Sequence, residues 1–163
     1  MRALVIMISS LLVLCIFNSC QKEFEDPNDP SVNTTVSFKA KINGVQFIAD
    51  IHNASIINDS VITLTGKSND GQMIAFSVAD SGVHVYTLDI NSITNVGLYV
   101  DANSLAFTSV EGGSPAESGG NLAIVSIDPV KKLMSGTFNF KAFRQLDGTQ
   151  RIITEGVFNN ISY

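Results

Sequence analysis

From residue 34 onward, hydrophobic and polar positions alternate with a period of two. That is the period of a strand with one dry face and one wet face. The run 35–42, TVSFKAKI, sets Val36, Phe38, Ala40 and Ile42 on one face and Ser37, Lys39 and Lys41 on the other. Asn43-Gly44 follows, then VQFIAD. Asn-Gly between two alternating runs predicts a type I′ hairpin, because both turn positions need φ > 0. Further strands are predicted over 60–66 (SVITLTG), 72–80 (QMIAFSVAD), 83–90 (VHVYTLDI), 96–101 (VGLYVD), 104–110 (SLAFTSV) and 121–128 (NLAIVSID). The chain closes with 133–143 (LMSGTFNFKAF), a turn at Asp147-Gly148, and 150–163 (QRIITEGVFNNISY). No helical period appears in this part of the chain. About ten short strands cut by Gly, Asn and Asp predict an all-β fold. An antiparallel β-sandwich is expected, with a flattened lipocalin-like β-barrel as the alternative. VGLYV and LAIVSI are apolar on both faces and are expected as central strands.

The first 33 residues follow a different pattern. Ala3 to Phe17 are apolar apart from Ser9 and Ser10, with Arg2 before them. Such a run is short for a span, which needs about 20 apolar residues. It has the length of a secretory signal h-region. Cys20 follows the small residue Ser19, and then come Gln21-Lys22-Glu23-Phe24-Glu25-Asp26. Pro27 and Pro30 complete a charged segment that cannot bury enough apolar surface to fold. Three parts are expected: a signal peptide over 1–19, a lipidated Cys and flexible acidic tether over 20–33, and one all-β domain over 34–163.

The segment around Ser19-Cys20 resembles the lipobox of bacterial lipoprotein precursors, with Phe17 and Asn18 where that family usually carries smaller or aliphatic residues. The resemblance implies cleavage between Ser19 and Cys20 and acylation of Cys20. Cys15 is the rival, but it lies inside the apolar run behind the bulky Leu14. The Gln-Lys-acid run after Cys20 resembles the export signal of surface-exposed Bacteroidetes lipoproteins. It implies the outer membrane, on its cell-surface face, with the periplasmic face as the alternative. Two or more acyl chains make a stable anchor that does not span the membrane. FKAKINGVQFIAD, SGTFNFKAF and EGVFNNISY together resemble small Bacteroidetes lipoprotein domains of unknown function. Phe38, Ala40, Ile42 and Gly44 carry the first match, Ser135 to Phe138 and Phe140 the second, and Gly156, Phe158 and Asn160 the third. That resemblance implies an all-β fold and no particular activity.

Composition narrows the chemistry. The chain has two cysteines, so after cleavage only Cys20 remains and the folded part has no thiol. This excludes a disulfide, a thiolate metal site and a cysteine nucleophile. Removing Arg2 from ten Lys and Arg leaves nine against fifteen Asp and Glu, a net charge of −6. Nucleic acid, which demands a basic stripe, is not an expected partner.

His52 and His84 are the only histidines. His84 shares a strand face with Tyr86 and reads as a half-exposed strand residue. No spacing builds the three or four ligands of a zinc site, and no G-x-S-x-G elbow supports a hydrolase triad. The loop EGGSPAESGG (111–120) lacks the Lys and following helix of a phosphate cradle. It reads as a flexible connection. Asp59, Asp70, Asp80 and Asp101 lie in turns without calcium-loop spacing. Asp59-Ser60-Val61 resembles the Bacteroidetes O-glycosylation acceptor, which implies Ser60 as the modified residue. No cofactor, metal or catalytic residue is expected. The function expected is a non-catalytic outer-membrane lipoprotein that acts as a binding or accessory module, tied to the membrane by its lipid. The alternatives are a carrier of a small apolar ligand in a barrel cavity and, behind it, a carboxylate-based hydrolase.

Overall fold

A computed structural model describes residues 35, 37–112, 114 and 116–163. The expectations for Ser19, Cys20 and the rest of 1–33 lie outside the described residues, as does the placement of Val36.

The described residues form eleven strands and no helix. β1 is Ser37–Ile42, β2 Val45–Ile48, β3 Ile51–Ile57, β4 Val61–Lys67, β5 Met73–Ala79 and β6 Val85–Leu88. β7 is Val96–Val100, β8 Ala106–Thr108, β9 Gly119–Asp128, β10 Leu133–Arg144 and β11 Thr149–Ser162. The strand that the alternation does not predict is β3.

All pairings are antiparallel, and they join every strand into one curled sheet. Its main path runs β2-β1-β11-β10-β8-β7-β5-β4-β3, with β9 on β10 and β6 on β9. Two corners let the sheet face itself. At one, β10 pairs with β9 through Leu133 to Lys141 and then with β8 at Phe143. At the other, β2 and β3 are separated only by Ala49 and Asp50. The Ala49 N–H donates to the Phe38 carbonyl of β1 at 2.9 Å, and the Asp50 N–H donates to the Lys67 carbonyl of β4 at 2.9 Å. Consecutive residues thus hand the strand from one half to the other, as at the corners of strand-switching sandwiches. The sandwich expectation holds, built from one continuous sheet.

Turn chemistry sets the register. Asn43 (φ 49°) and Gly44 (φ 82°) make the expected left-handed pair between β1 and β2. Asn58 (φ 49°) and Asp59 (φ 53°) do the same between β3 and β4, closed by the Ser60 N–H donating to the Ile57 carbonyl at 3.0 Å. In β11, Glu155 (φ 51°) lies where the register against β1 slips between Lys39 and Lys41, a bulge that bends the strand.

The core is the shared interior of the two halves. Phe38, Ala40 and Ile42 all point into it. The Phe138 ring lies 5.2 Å from Phe38 and 5.0 Å from Phe76, and the Phe76 and Phe140 centroids are 5.4 Å apart. Each such ring contributes about 1.5–3 kcal/mol by leaving water. Room for them comes from small residues opposite. A Cβ built on Gly66 of β4 would meet the Phe38 ring at 2.5 Å. VGLYV and NLAIVSID do lie between partner strands, β5 and β8 for the first, β6 and β10 for the second. The outer face of β9 is not covered, however, with Val125 59% exposed, while the outward residues of β7 are half-buried.

Candidate functional site

The alternation of β11 puts Arg151 in the same inward phase as Ile153, which is buried. Arg151 faces inward at the end of the sandwich, and its long stem carries the charged head toward water. The guanidinium carbon lies 4.4 Å from the centroid of the Phe107 ring of β8. Phe107 is fully buried, and its centroid is 5.8 Å from that of Tyr99 on β7. Stacking over an aromatic face holds a guanidinium while leaving its in-plane N–H donors free. One of them donates from Nη1 to the Gln150 carbonyl at 3.1 Å. Among the described residues, no carboxylate lies within ion-pair distance of Arg151.

The wall opposite is built on Tyr99. Its hydroxyl donates to Gln72 Oε1 at 2.6 Å, and Gln72 Nε2 donates to Asp70 Oδ2 at 2.6 Å. Burial pushes the Tyr99 phenol up, the Asp101 charge adds to this, Arg151 offsets part of it and Asp70 adds again. Tyr99 is therefore a neutral donor at neutral pH. The rim is the β1–β2 turn. The Asn43 N–H donates to the Ile152 carbonyl at 2.8 Å, and Asn43 Oδ1 accepts from the Ile152 N–H at 2.9 Å. Gln46 Nε2 donates to the Ala40 and Phe47 carbonyls. With Ile42 and Val45, these residues enclose an open cleft of about 280 Å³. It lies at the Ile42 end of β1, roughly 17 Å along the strand from Ser37, where the chain enters the sheet.

A second, shallower depression of about 400 Å³ lies across β9, β10 and β11, over Gly119, Gly120, Lys141 and Ile152. Lys141 reaches across to donate from Nζ to the Ala116 carbonyl at 2.9 Å. Gln150 Nε2 donates to the Glu117 carbonyl, and Glu111 Oε2 accepts from the Gln145 N–H at 3.0 Å. The described part of the loop 111–120 is thus tied at three points, to β10, to β11 and to the turn between them, where the sequence predicts a flexible connection. These ties come from residues far along the chain, so local composition does not announce them.

The residues singled out from sequence stand apart from this cleft. His84 is exposed, and its ring lies 4.0 Å from that of Tyr86, on whose face the sequence placed it. His52 sits on β3, paired with Gly66. Among the described residues, no three His, Cys, Asp or Glu come together as a metal site. The four turn aspartates serve the loops: Asp70 accepts from Ser68 and Gln72, Asp101 accepts from the Asn103 and Leu105 N–H groups at 2.9 Å each, and Asp59 and Asp80 are left-handed turn residues. Ser60 is exposed at the tip of the β3–β4 hairpin. Sequence reasoning missed Arg151, Tyr99 and Gln72 as a group. The signal available was the phase of Arg151 on the apolar face of its strand.

No curated protein and no solved structure matches this chain. A family model does match over residues 34–162, which takes in all eleven strands, and by that match the chain belongs to the family described as Domain of unknown function (DUF6252).

Proposed function

We propose that this protein is a lipid-anchored, non-catalytic β-sandwich that binds a ligand at the outer membrane, on the cell-surface face, as Bacteroidetes-type lipoproteins do. The observation that carries the binding role is the Arg151–Tyr99 cleft, placed at the end of β1 away from the chain's entry at Ser37. Binding groups held on a rigid β scaffold at a loop-lined end are the usual arrangement for recognition. The interior is filled by stacked phenylalanines, which favours this end cleft over a lumen as the place for a ligand. The anchor rests on the sequence Phe17-Asn18-Ser19-Cys20, with Cys20 as the acylated residue and Ser19 as the last residue of the signal peptide. Ser60, exposed on its hairpin tip, is proposed as an O-glycosylation acceptor.

Intact-mass spectrometry of the protein taken from its native membrane tests this, with protease shaving of the same cells. The expected mass is that of residues 20–163 plus acyl chains and a glycan on Ser60. It loses the acyl chains in Cys20→Ala and a glycan in Ser60→Ala, and the domain is shaved from whole cells. An unlipidated mass or an uncut N-terminus would overturn the anchor. A lipidated chain that resists shaving would move it to the periplasmic face.

A further inference from the structure

We propose that the Arg151 cleft recognises a carboxylate: a small acid whose carboxylate sits between Arg151 and Asn43 and whose body lies over Ile42 and Val45. A guanidinium carries five N–H donors and no acceptor, and one of the five is used within the protein. Asn43 Oδ1 is taken by the Ile152 N–H, which leaves its Nδ2 as a donor. Gln72 Oε1 accepts from Tyr99 and one N–H of its Nε2 goes to Asp70, which leaves that amide one donor and one lone pair. The nearby acids are occupied too, Asp70 by Ser68 and Gln72, and Asp101 by two backbone N–H groups. Asp70 and Asp101 keep their charges, but no carboxylate lies within ion-pair distance of Arg151 among the described residues, so its fork is the strongest unspent group of the cleft and calls for a ligand that brings acceptors and negative charge. The planar fork of Arg matches a carboxylate with two parallel hydrogen bonds. The cleft volume, about 280 Å³, suits a small molecule.

The inference rests on the binding role proposed for the cleft and not on the lipid anchor. Loss of lipid from Cys20 would leave it standing, and failure of the titration below would leave the anchor standing.

The test is an NMR titration of the full-length chain in detergent micelles, followed at the Arg151 Nε–H and the Ile152 amide. Butyrate and D-glucuronate are the two probes, and methyl butyrate is the uncharged control. Butyrate tests an aliphatic acid, glucuronate a sugar acid. The expected result is a saturable Arg151 shift with one of the acids and none with the ester. Arg151→Gln should weaken binding roughly tenfold to a hundredfold, the size of a lost charge-assisted pair. Asn43→Asp is the second variant. It tolerates the left-handed turn and keeps the acceptor for the Ile152 N–H, but it replaces the amide donor by a charge that repels an anion. It should abolish binding while the Ile152 amide shows the turn intact. An equal shift with the ester, binding undiminished in Asn43→Asp, or no saturable shift with either acid would overturn the proposal.

Discussion

Gly66 and Phe38 form a pair whose coupling follows from the structure with a definite sign. All three atoms nearest a Cβ added at Gly66 belong to the Phe38 ring, at 2.5, 2.7 and 2.7 Å, and none is backbone. A glycine inside a strand ordinarily costs about 0.5–1 kcal/mol relative to alanine, so Gly66→Ala should stabilise the strand if nothing opposed it. The ring does oppose it. Phe38 is 1% exposed and held between Phe47 and Phe138, so it cannot swing clear. Overpacking of this kind costs about 1–3 kcal/mol, and Gly66→Ala is therefore expected to destabilise the wild-type protein. Phe38→Ala alone should cost about 3–5 kcal/mol as a core cavity. In that background the clash is gone and the new methyl enters the void, so Gly66→Ala should turn neutral or stabilising. The coupling energy is then about 1–3 kcal/mol, within the range measured for contacting residues. Urea unfolding of the full chain, followed by far-ultraviolet circular dichroism, resolves this, since 2 kcal/mol moves the midpoint by about 1 M. If Gly66→Ala has the same effect with Phe38 present or absent, the ring does not occupy the glycine's space and the facing of β1 and β4 is wrong.

Two further predictions use other buried groups. The Ser118 hydroxyl is fully buried and has no hydrogen-bond partner among the described residues, so Ser118→Ala should raise stability by about 1 kcal/mol in the same urea assay; a loss would mean that the hydroxyl has a partner. Burial pushes the phenols of Tyr86 and Tyr99 up, so in an ultraviolet pH titration their phenolate bands should appear at higher pH than in the urea-unfolded chain. A folded pKa above the unfolded value of about 10 means that the unfolded chain releases these protons first; their contribution is complete below that pH and is lost as pH rises through the folded values, so stability should fall at strongly alkaline pH.

Much of the sheet is legible in the sequence because its signals are local. Phe38, Ala40 and Ile42 alternate cleanly, and Asn43-Gly44 has the chemistry its turn requires. β3 is hidden because it is bordered on one side only, and of its seven residues Ala54 alone is buried; His52, Asn53 and Ser55 blur the alternation. The unity of the sheet is hidden for a different reason. It depends on β10 pairing with β11, β9 and β8, and on the hand-over at Ala49-Asp50, neither of which leaves a composition mark. The cleft is intermediate. Arg151 is out of character with its apolar face, which is visible, but Tyr99, Gln72 and Phe107 reach it only through folding.

The first strand of the domain is completed by the last. β1 lies between β2 and β11, and Ser37 is paired with Asn159, 122 residues further on. Until the final strand is made, β1 has one neighbour, and the Phe38–Phe138–Phe158 stack lacks a member. Contacts so distant along the chain slow folding, because the loop must close before any of them forms. The domain cannot finish folding on the ribosome, or during any end-first passage through a narrow channel, while its C-terminal residues are still held back. Such a chain is delivered open and shuts at the last moment, with β11 as the bolt.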